Sequence, residues 1–271
     1  MRNLEDPVLL CSMLTGLVDA GPGTAAAARL WAERILQRTP PHELLRLEQE
    51  VRYRTRSGAA YYSSDMAGSP WRRLDGAGLL RASMEPLGHL VVRMASFHAN
   101  GFLREEAVRL LDGESGGDAL PFLLLRCNDW VPAVQRRAQI AVENRIDETH
   151  ASHFLRSHVL VEQLAAQKRN DLQSLHQRIK ELLRSRAAEP ARRAAFSDAD
   201  RHVRRAAFVL SCEADDVDLR AVIVEGLKSG DLWVRVFSAR TARARLYGAA
   251  LREVLGQARG RAIPAVGGII R

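Results

Sequence analysis

Arginine, histidine and aspartate are the residue types that could do chemistry in this chain, and arginine forms the longest series. An arginine directly follows the first residue expected to be buried in a helical segment at Arg104, Arg204 and Arg235. A guanidinium group binds phosphate or carboxylate through two parallel hydrogen bonds, so a row of them would hold a phosphate backbone or an acidic polypeptide. The arginines predicted to contact a partner are Arg136, Arg137, Arg204, Arg205, Arg235, Arg240 and Arg243.

These arginines have a second interpretation, in which they stabilise the fold. An aspartate stands just before three helical segments, where a carboxylate accepts backbone N–H groups or pairs with an arginine of the preceding segment. Under this interpretation Arg205 and Arg240 lie outside the ladder of ion pairs and become the main candidates for binding. The sequence leaves both interpretations open. The aspartates are Asp129, Asp198 and Asp231.

Three histidines near the middle of the chain raise the question of a metal site. His150 and His153 would share one face of a helix, beside Asp147 and Glu148. His158 follows at a different spacing, and no second cluster completes a tetrahedral ligand set. We therefore predict no metal and no cofactor.

Nucleophilic and phosphate-binding motifs are also missing from the sequence. No serine or cysteine lies in a nucleophile motif. Cys11, Cys127 and Cys212 are far apart and odd in number, which argues against a disulfide framework. The glycine-rich segment 113–117 lacks a following Lys-Ser or Lys-Thr pair, so it is not a phosphate loop. We predict no catalytic residues, and no small-molecule substrate is evident.

The elements that must position the arginines recur with a nearly fixed period. The first residues expected to be buried after successive turns serve as markers: Leu172, Val203 and Val234 follow one another at intervals of 31 residues, whereas Leu172 lies 38 residues after the marker before it. Small residues follow four and seven positions later, as Ala138 and Ala141 follow Val134, which places them on one helical face. Such a period is typical of stacked helix pairs. The other markers are Leu103, Val134 and Val266.

Composition and charge fit a helical protein with anionic partners. Hydrophobic residues make up 46% of the chain and aromatic residues only 6%, so leucine, valine and alanine must form the core, as in closely packed helices. The formal net charge of +8 permits nucleic acid or an acidic protein as partner. No apolar run is long enough to span a membrane and no signal peptide is evident, so we predict no membrane partner and a cytoplasmic, bacterial location.

The first 70 residues do not follow the period. We predict an N-terminal helical cap with an irregular loop over residues 1–70, and the repeat array over 71–271. Tyr61, Tyr62 and Trp71 lie in or beside the loop, close to several arginines. Such aromatic residues stack on bases or anchor a partner protein, so these three are predicted contacts. In the alternative, the tyrosines pack back onto the cap.

Four segments resemble the HEAT-repeat family, especially its bacterial, PBS-lyase-type branch. They are NGFLREEAVRLL, NDWVPAVQRRAQIAV, DADRHVRRAAFVL and GDLWVRVFSARTA. The family pattern is an acidic turn residue, then Val-Arg, then a small residue, and the resemblance covers roughly residues 86–271. A further helix departs from it, because His176 stands where alanine is expected. The resemblance implies an all-α fold, an α-solenoid in which antiparallel helix pairs form a right-handed superhelix.

The same resemblance implies a class of function. A helical-repeat array is expected to be a non-enzymatic scaffold that binds a protein or peptide partner on its concave face. The alternative is nucleic-acid binding through an arginine-rich concave stripe, since some HEAT-like folds are DNA glycosylases for alkylated bases. Those enzymes present Trp and Asp into a basic cleft, which Trp130 with Asp129 and Trp233 with Asp231 would match, although packing at the turn explains both pairs as well.

Overall fold

The computed structural model describes residues 7–18, 21–55, 69–166, 172–214 and 217–258. Within these ranges every regular element is helical and no strand is present, so the all-α prediction is confirmed. Short 3₁₀ turns precede four of the helices, at Pro41–Glu43, Gly117–Ala119, Glu148–His150 and Arg186–Ala188.

The helices of these ranges are numbered in chain order. They are α1 (Pro7–Leu17), α2 (Pro22–Arg38), α3 (Leu44–Thr55), α4 (Pro70–Arg73), α5 (Gly76–Ser83), α6 (Gly88–Ala95), α7 (Gly101–Asp112), α8 (Leu120–Arg126), α9 (Pro132–Glu143), α10 (Ala151–Arg156), α11 (His158–Ala165), α12 (Gln173–Arg184), α13 (Glu189–Ala195), α14 (Arg201–Glu213), α15 (Leu219–Lys228), α16 (Leu232–Arg245) and α17 (Gly248–Ala258).

The chain divides into two compact units. The first comprises residues 1–145 and 159–175, and the second comprises residues 146–158 and 176–271. This division falls elsewhere than at residue 70, where the sequence places the end of the cap. In the first unit α1 packs on α2 and α3, α7 packs on α6 and α9, and α9 packs on α8. In the second unit α14, α15 and α16 pack on one another, and α15 also packs on α17.

The periodic apolar residues form the core of each unit. Val134, Ala138 and Ala141 on α9 are fully buried, as the spacing of three and four residues requires. Alanine at these positions lets the facing helix approach closely. The predicted burial is confirmed for five markers, and the sixth, Val266, lies outside the described residues. The five are Leu103, Val134, Leu172, Val203 and Val234.

Polar side chains cap several of the helices by accepting backbone N–H groups. Asn100 accepts from Phe102 at the start of α7, and Asp231 accepts from Trp233 and Val234 at the start of α16. The prediction is wrong in detail for α14: Asp200 is its N-cap, and Asp198 accepts the N–H of Asp200 instead. The N-cap of α14 therefore lies two residues later than the sequence predicts.

The predicted helices of the N-terminal cap are present as α1, α2 and α3. Helix α2 has Pro22 in its first turn, where proline's fixed φ suits a helix. In the first unit these helices also contact later ones: α2 packs on α6, and α3 packs on α8. None of the described helices is long and apolar enough to cross a membrane.

Candidate functional site

The first unit contains a buried ion pair between the first turn of α7 and the segment that precedes α9. Arg104 on α7 donates to Asp129, the residue two before Val131 at the entry to α9, from Nε to Oδ2 and from Nη2 to Oδ1, both at 2.8 Å. Neither side chain is exposed to solvent. Arg104 also donates from Nη1 to the carbonyls of His98 and Ala99. Arg104 therefore binds both the backbone of its own turn and the aspartate of the next turn.

A helix of the cap completes this cluster. Arg126, at the end of α8, donates to Asp129 Oδ2 at 2.8 Å and also pairs with Glu48 on α3. Glu48 in turn binds Arg52, one turn further along α3, at 2.8 Å. Three guanidinium groups thus face two carboxylates, which leaves the cluster with an excess of positive charge. Its least buried member is Arg52, whose side chain is 29% exposed.

The positive charge of this cluster lowers the pKa of Asp129, which belongs to it, and the pKa of the neighbouring His98. Burial alone would raise the pKa of Asp129, but the hydrogen bond from Arg104 and the charge of Arg126 hold it below its ordinary value. Burial lowers the pKa of His98 to about 4, and the charges of Arg104 and Arg52 act in the same direction. The ring of His98 is neutral, with Nδ1 accepting from the Asn100 N–H at 3.0 Å.

An exposed aromatic edge lies over the buried ion pair. The Arg104 guanidinium lies 5.5 Å from the ring centroid of Trp130, which is 61% exposed. Phe102, two residues before Arg104, is 86% exposed. The two turns meet closely, because a Cβ at Gly101 would lie 2.9 Å from Val131 Cγ2. Phe102 and Trp130 thus belong to two segments that contact each other, beside the buried ion pair of Arg104 and Asp129.

The second unit repeats the arrangement. Asp231, the N-cap of α16, accepts from Arg204 Nη2 at 3.3 Å and from Arg205 Nε at 3.1 Å. The Arg205 guanidinium lies 5.5 Å from the ring centroid of Trp233, which is 41% exposed and stacks on Phe237. Burial would raise the pKa of Asp231, but the hydrogen bond from Arg205 and the backbone N–H groups lower it. The pairs here are more exposed than in the first unit.

The arginine that follows each marker makes the same backbone contacts in both units. Arg204 donates to the carbonyls of Asp198 and Ala199, six and five residues before it, as Arg104 does in its own turn. Arg235 donates to the carbonyl of Ser229, also six residues before it. Pairing with an aspartate, as the structural interpretation predicts, is observed for Arg104 and Arg204, whereas the contact shown for Arg235 is with the backbone. The expectation that Arg205 lies outside the ladder is wrong, since it shares Asp231 with Arg204.

The other predicted arginines lie on helix surfaces. Arg136 on α9 and Arg240 on α16 are exposed and form no ion pair with any described residue. Arg137 on α9 lies 3.9 Å from Glu105, and 43% of its side chain is exposed. Arg243 on α16 is exposed as well.

Three aromatic residues, Tyr61, Tyr62 and Trp71, are predicted to contact a partner. Tyr61 and Tyr62 lie outside the described residues. Trp71 is described, and its prediction as an exposed contact is wrong: it is fully buried on α4, with its ring tilted against His98 at a centroid distance of 5.2 Å. The Trp71 ring therefore belongs to the core of the first unit.

The carboxylates and histidines singled out by sequence are engaged within the protein. The side chains of Asp129 and Asp231 are 0% and 4% exposed, so neither carboxylate is free to approach a base as a glycosylase residue would. Asp147 binds the Nδ1 of His150 at 2.8 Å and caps the 3₁₀ turn that precedes α10. His153 lies two residues into α10 from its start.

Sequence reasoning missed Glu48, Arg52 and Arg126. The signal available was weak, because Glu48 and Arg52 are four residues apart on a helix that does not follow the repeat period. Nothing in the sequence connects that helix with Asp129. The cavity in the second unit, described below, was also not anticipated.

Comparison of the chain with protein-family models, with curated proteins and with solved structures found no match.

Proposed function

We propose that this chain is a non-enzymatic helical-repeat scaffold that binds a protein or peptide partner. The observation that carries the proposal is the recurrence, in both units, of an exposed tryptophan beside an arginine that an aspartate holds in place. Trp130 with Arg104 and Asp129 is one instance, and Trp233 with Arg205 is the other. A large exposed ring costs free energy in water unless something covers it.

The composition of these edges favours a protein partner. Tryptophan and arginine are enriched among the residues that contribute most to protein–protein binding. Each ring lies over a guanidinium group that an aspartate holds, and Trp233 also stacks on Phe237, so little side-chain entropy is lost when a partner covers them. Phe102 and Leu232, 86% and 56% exposed, extend the two apolar edges.

The proposal includes a HEAT-like arrangement of helix pairs within each unit. The packing of α14, α15 and α16 on one another, with the arginine–aspartate link between α14 and α16, is the arrangement expected of stacked repeats. The right-handed superhelix and its concave face remain part of this proposal. The contact surface that we propose is the edge formed by the helix-initiating turns.

The test is capture of a partner by matched variants. Tagged full-length protein would be incubated with an extract of the native host, and bound proteins quantified for the wild type, Trp130→Ala and Trp233→Ala. Ile140→Ala and Tyr247→Ala are the controls, because both residues are exposed apolar side chains away from these turns. We expect a protein retained by the wild type and the controls but lost with a tryptophan variant. Equal retention by all five proteins would refute the proposal.

A second candidate function is nucleic-acid binding, favoured by the exposed Arg136 and Arg240 and by the net charge of +8. It predicts binding of a nonspecific duplex at low salt with a steep loss of affinity at moderate salt. Arg136→Glu and Arg240→Glu should each weaken that binding. Absence of binding at low salt, measured by fluorescence anisotropy, would remove this candidate.

A further inference from the structure

A cavity of about 750 Å³ opens between the helices of the second unit, at the edge where α14 and α16 begin. Cavities of this size hold a small molecule or a few residues of a peptide. Residues from the end of α13, the start of α14, the end of α15 and the start of α16 line it. They include Phe196, Arg201, Lys228, Asp231 and Leu232.

Two of the cations that line the cavity are unpaired. Arg201 and Lys228 are exposed and form no hydrogen bond or ion pair with any residue in the described ranges. The other basic residues of the lining are already engaged, Arg204 and Arg205 by Asp231 and Arg193 by Glu189. An anionic group that enters the cavity therefore meets two cations with free hydrogen-bond donors.

The cavity also has an apolar side. The rings of Phe196 and Phe208 stack at 3.9 Å between centroids, and both line the cavity. Leu232, 56% exposed, lines it from the start of α16. Arg205, which lines the cavity, has its guanidinium 5.5 Å from the ring centroid of Trp233, so the exposed aromatic edge of this unit borders the cavity. A ligand with a carboxylate beside an apolar group would match both kinds of surface.

The remaining charges argue against a nucleic acid in this cavity. Asp198, Glu225 and Asp231 line it together with the cations. Asp231 is neutralised by Arg204 and Arg205, but the carboxylates of Asp198 and Glu225 would repel a phosphodiester chain, in which every residue carries a charge. A peptide carries isolated carboxylates, and its backbone N–H groups can donate to these same oxygens.

We propose that this cavity binds an acidic peptide segment, in which an Asp or Glu carboxylate is held by Arg201 and Lys228 and a neighbouring apolar side chain lies against Leu232 and Phe196. The inference rests on the proposed function and names the chemistry of the partner. The peptide extends from the cavity over Trp233, which joins the cavity to the exposed edge of this unit.

The experiment selects peptides with the full-length protein. A random peptide library displayed on phage is panned against the wild type, and the enriched sequences are synthesised with a fluorescent label, together with copies in which Gln or Asn replaces Glu or Asp. Affinities are then measured for the wild type, Arg201→Glu, Lys228→Glu and the matched control Arg252→Glu on α17, whose exposed residue does not line the cavity. Circular dichroism checks that each variant is folded.

We expect the enriched peptides to combine an acidic and an apolar residue. Each charge reversal in the cavity should weaken their binding about tenfold or more, because like charges then face each other, while the control retains wild-type affinity. Neutral copies of the peptides should lose a similar factor.

Two kinds of result would overturn the inference. The cavity site would be refuted if the enriched peptides bind equally to the Arg201→Glu and Lys228→Glu variants, or if they need no carboxylate. The scaffold proposal would then still be tested separately with the tryptophan variants. Failure to enrich any peptide, or displacement of the peptides by a nonspecific DNA duplex, would also refute the cavity site.

Discussion

Arg104 and Asp129, 25 residues apart in the chain, share two parallel N–H···O bonds of 2.8 Å in a place that water does not reach. Buried ion pairs of this kind contribute little net stability, since desolvation of both charges offsets their attraction. Loss of one partner is costly, because the other charge then remains buried without compensation. The pair therefore dictates how α7 and the entry to α9 must meet.

Replacement of Asp129 should destabilise the protein far more than replacement of Asp231. Asp129→Asn leaves Arg104 and Arg126 buried without a full counter-charge, at a cost of about 3–5 kcal/mol. Asp231→Asn keeps an amide oxygen that can cap α16, and its arginine partners are 24% and 32% exposed, so we expect a loss of about 1–2 kcal/mol. Urea unfolding followed by circular dichroism measures both. Equal losses would contradict the difference in burial.

Acid should destabilise the first unit through His98. The pKa of its ring is lowered to about 4 in the folded protein, against about 6.5 in an unfolded chain. The folded state therefore binds fewer protons, and this contribution to stability is complete above about pH 6.5 and is lost as the pH falls towards 4. The loss amounts to about 1.4 kcal/mol per pH unit over that window.

The measurement is urea unfolding at several pH values between about 4 and 7 for the wild type and His98→Gln. The variant should show a shallower dependence on pH, because glutamine does not titrate. His176→Gln, in the second unit, serves as the control and should keep the wild-type slope. Parallel curves for the wild type and His98→Gln would show that His98 does not cause the acid sensitivity.

Gly226 should not tolerate a side chain. A Cβ at this position on α15 would lie 1.9 Å from Ser238 Oγ on α16, so Gly226→Ala forces the two helices apart, and overpacking of this kind costs about 1–3 kcal/mol. Gly256→Ala on α17 is the matched control, since no atom lies within 4 Å of its added Cβ, and alanine should stabilise that helix by about 0.5–1 kcal/mol. Thermal unfolding of both variants would show opposite shifts; shifts of the same sign would refute the close packing.

The described thiols should react only when the protein unfolds. Burial raises the pKa of Cys212 to about 11 and raises that of Cys127 as well, and both residues are buried. Since the thiolate is the reactive form, a Cys11→Ser variant should react slowly with a disulfide reagent near neutral pH and release two thiols in urea. Fast reaction of the native variant would show that one of these cysteines is accessible.

The core of the fold could be predicted from the sequence because burial repeats with the period of a helix. Leu103, Val134 and Val203 are buried where the 3.6-residue spacing places them, and the acidic cap of α16 lies at Asp231 as its pattern indicates. Such features depend on residues within one or two turns of each other, so local spacing is sufficient to determine them.

The charge network could not be predicted in this way. An arginine side chain is long enough to reach several neighbours, and which of them it meets depends on how whole helices pack. For that reason the sequence places Arg205 outside the arginine–aspartate pairs, whereas in the structure Arg205 pairs with Asp231. In the same way the sequence predicts that Trp71 is an exposed contact residue, whereas its side chain is buried. The link from Asp129 through Arg126 to Glu48 spans elements with no common period.

The sequence by itself determined that the chain is helical, where most repeat helices begin, and which residues form their apolar faces, because each of these follows from short-range spacing. Only the tertiary structure decided which arginines are occupied and which cations remain unpaired beside a cavity. That distinction depends on distances between side chains remote in the chain, and helix packing alone sets those distances.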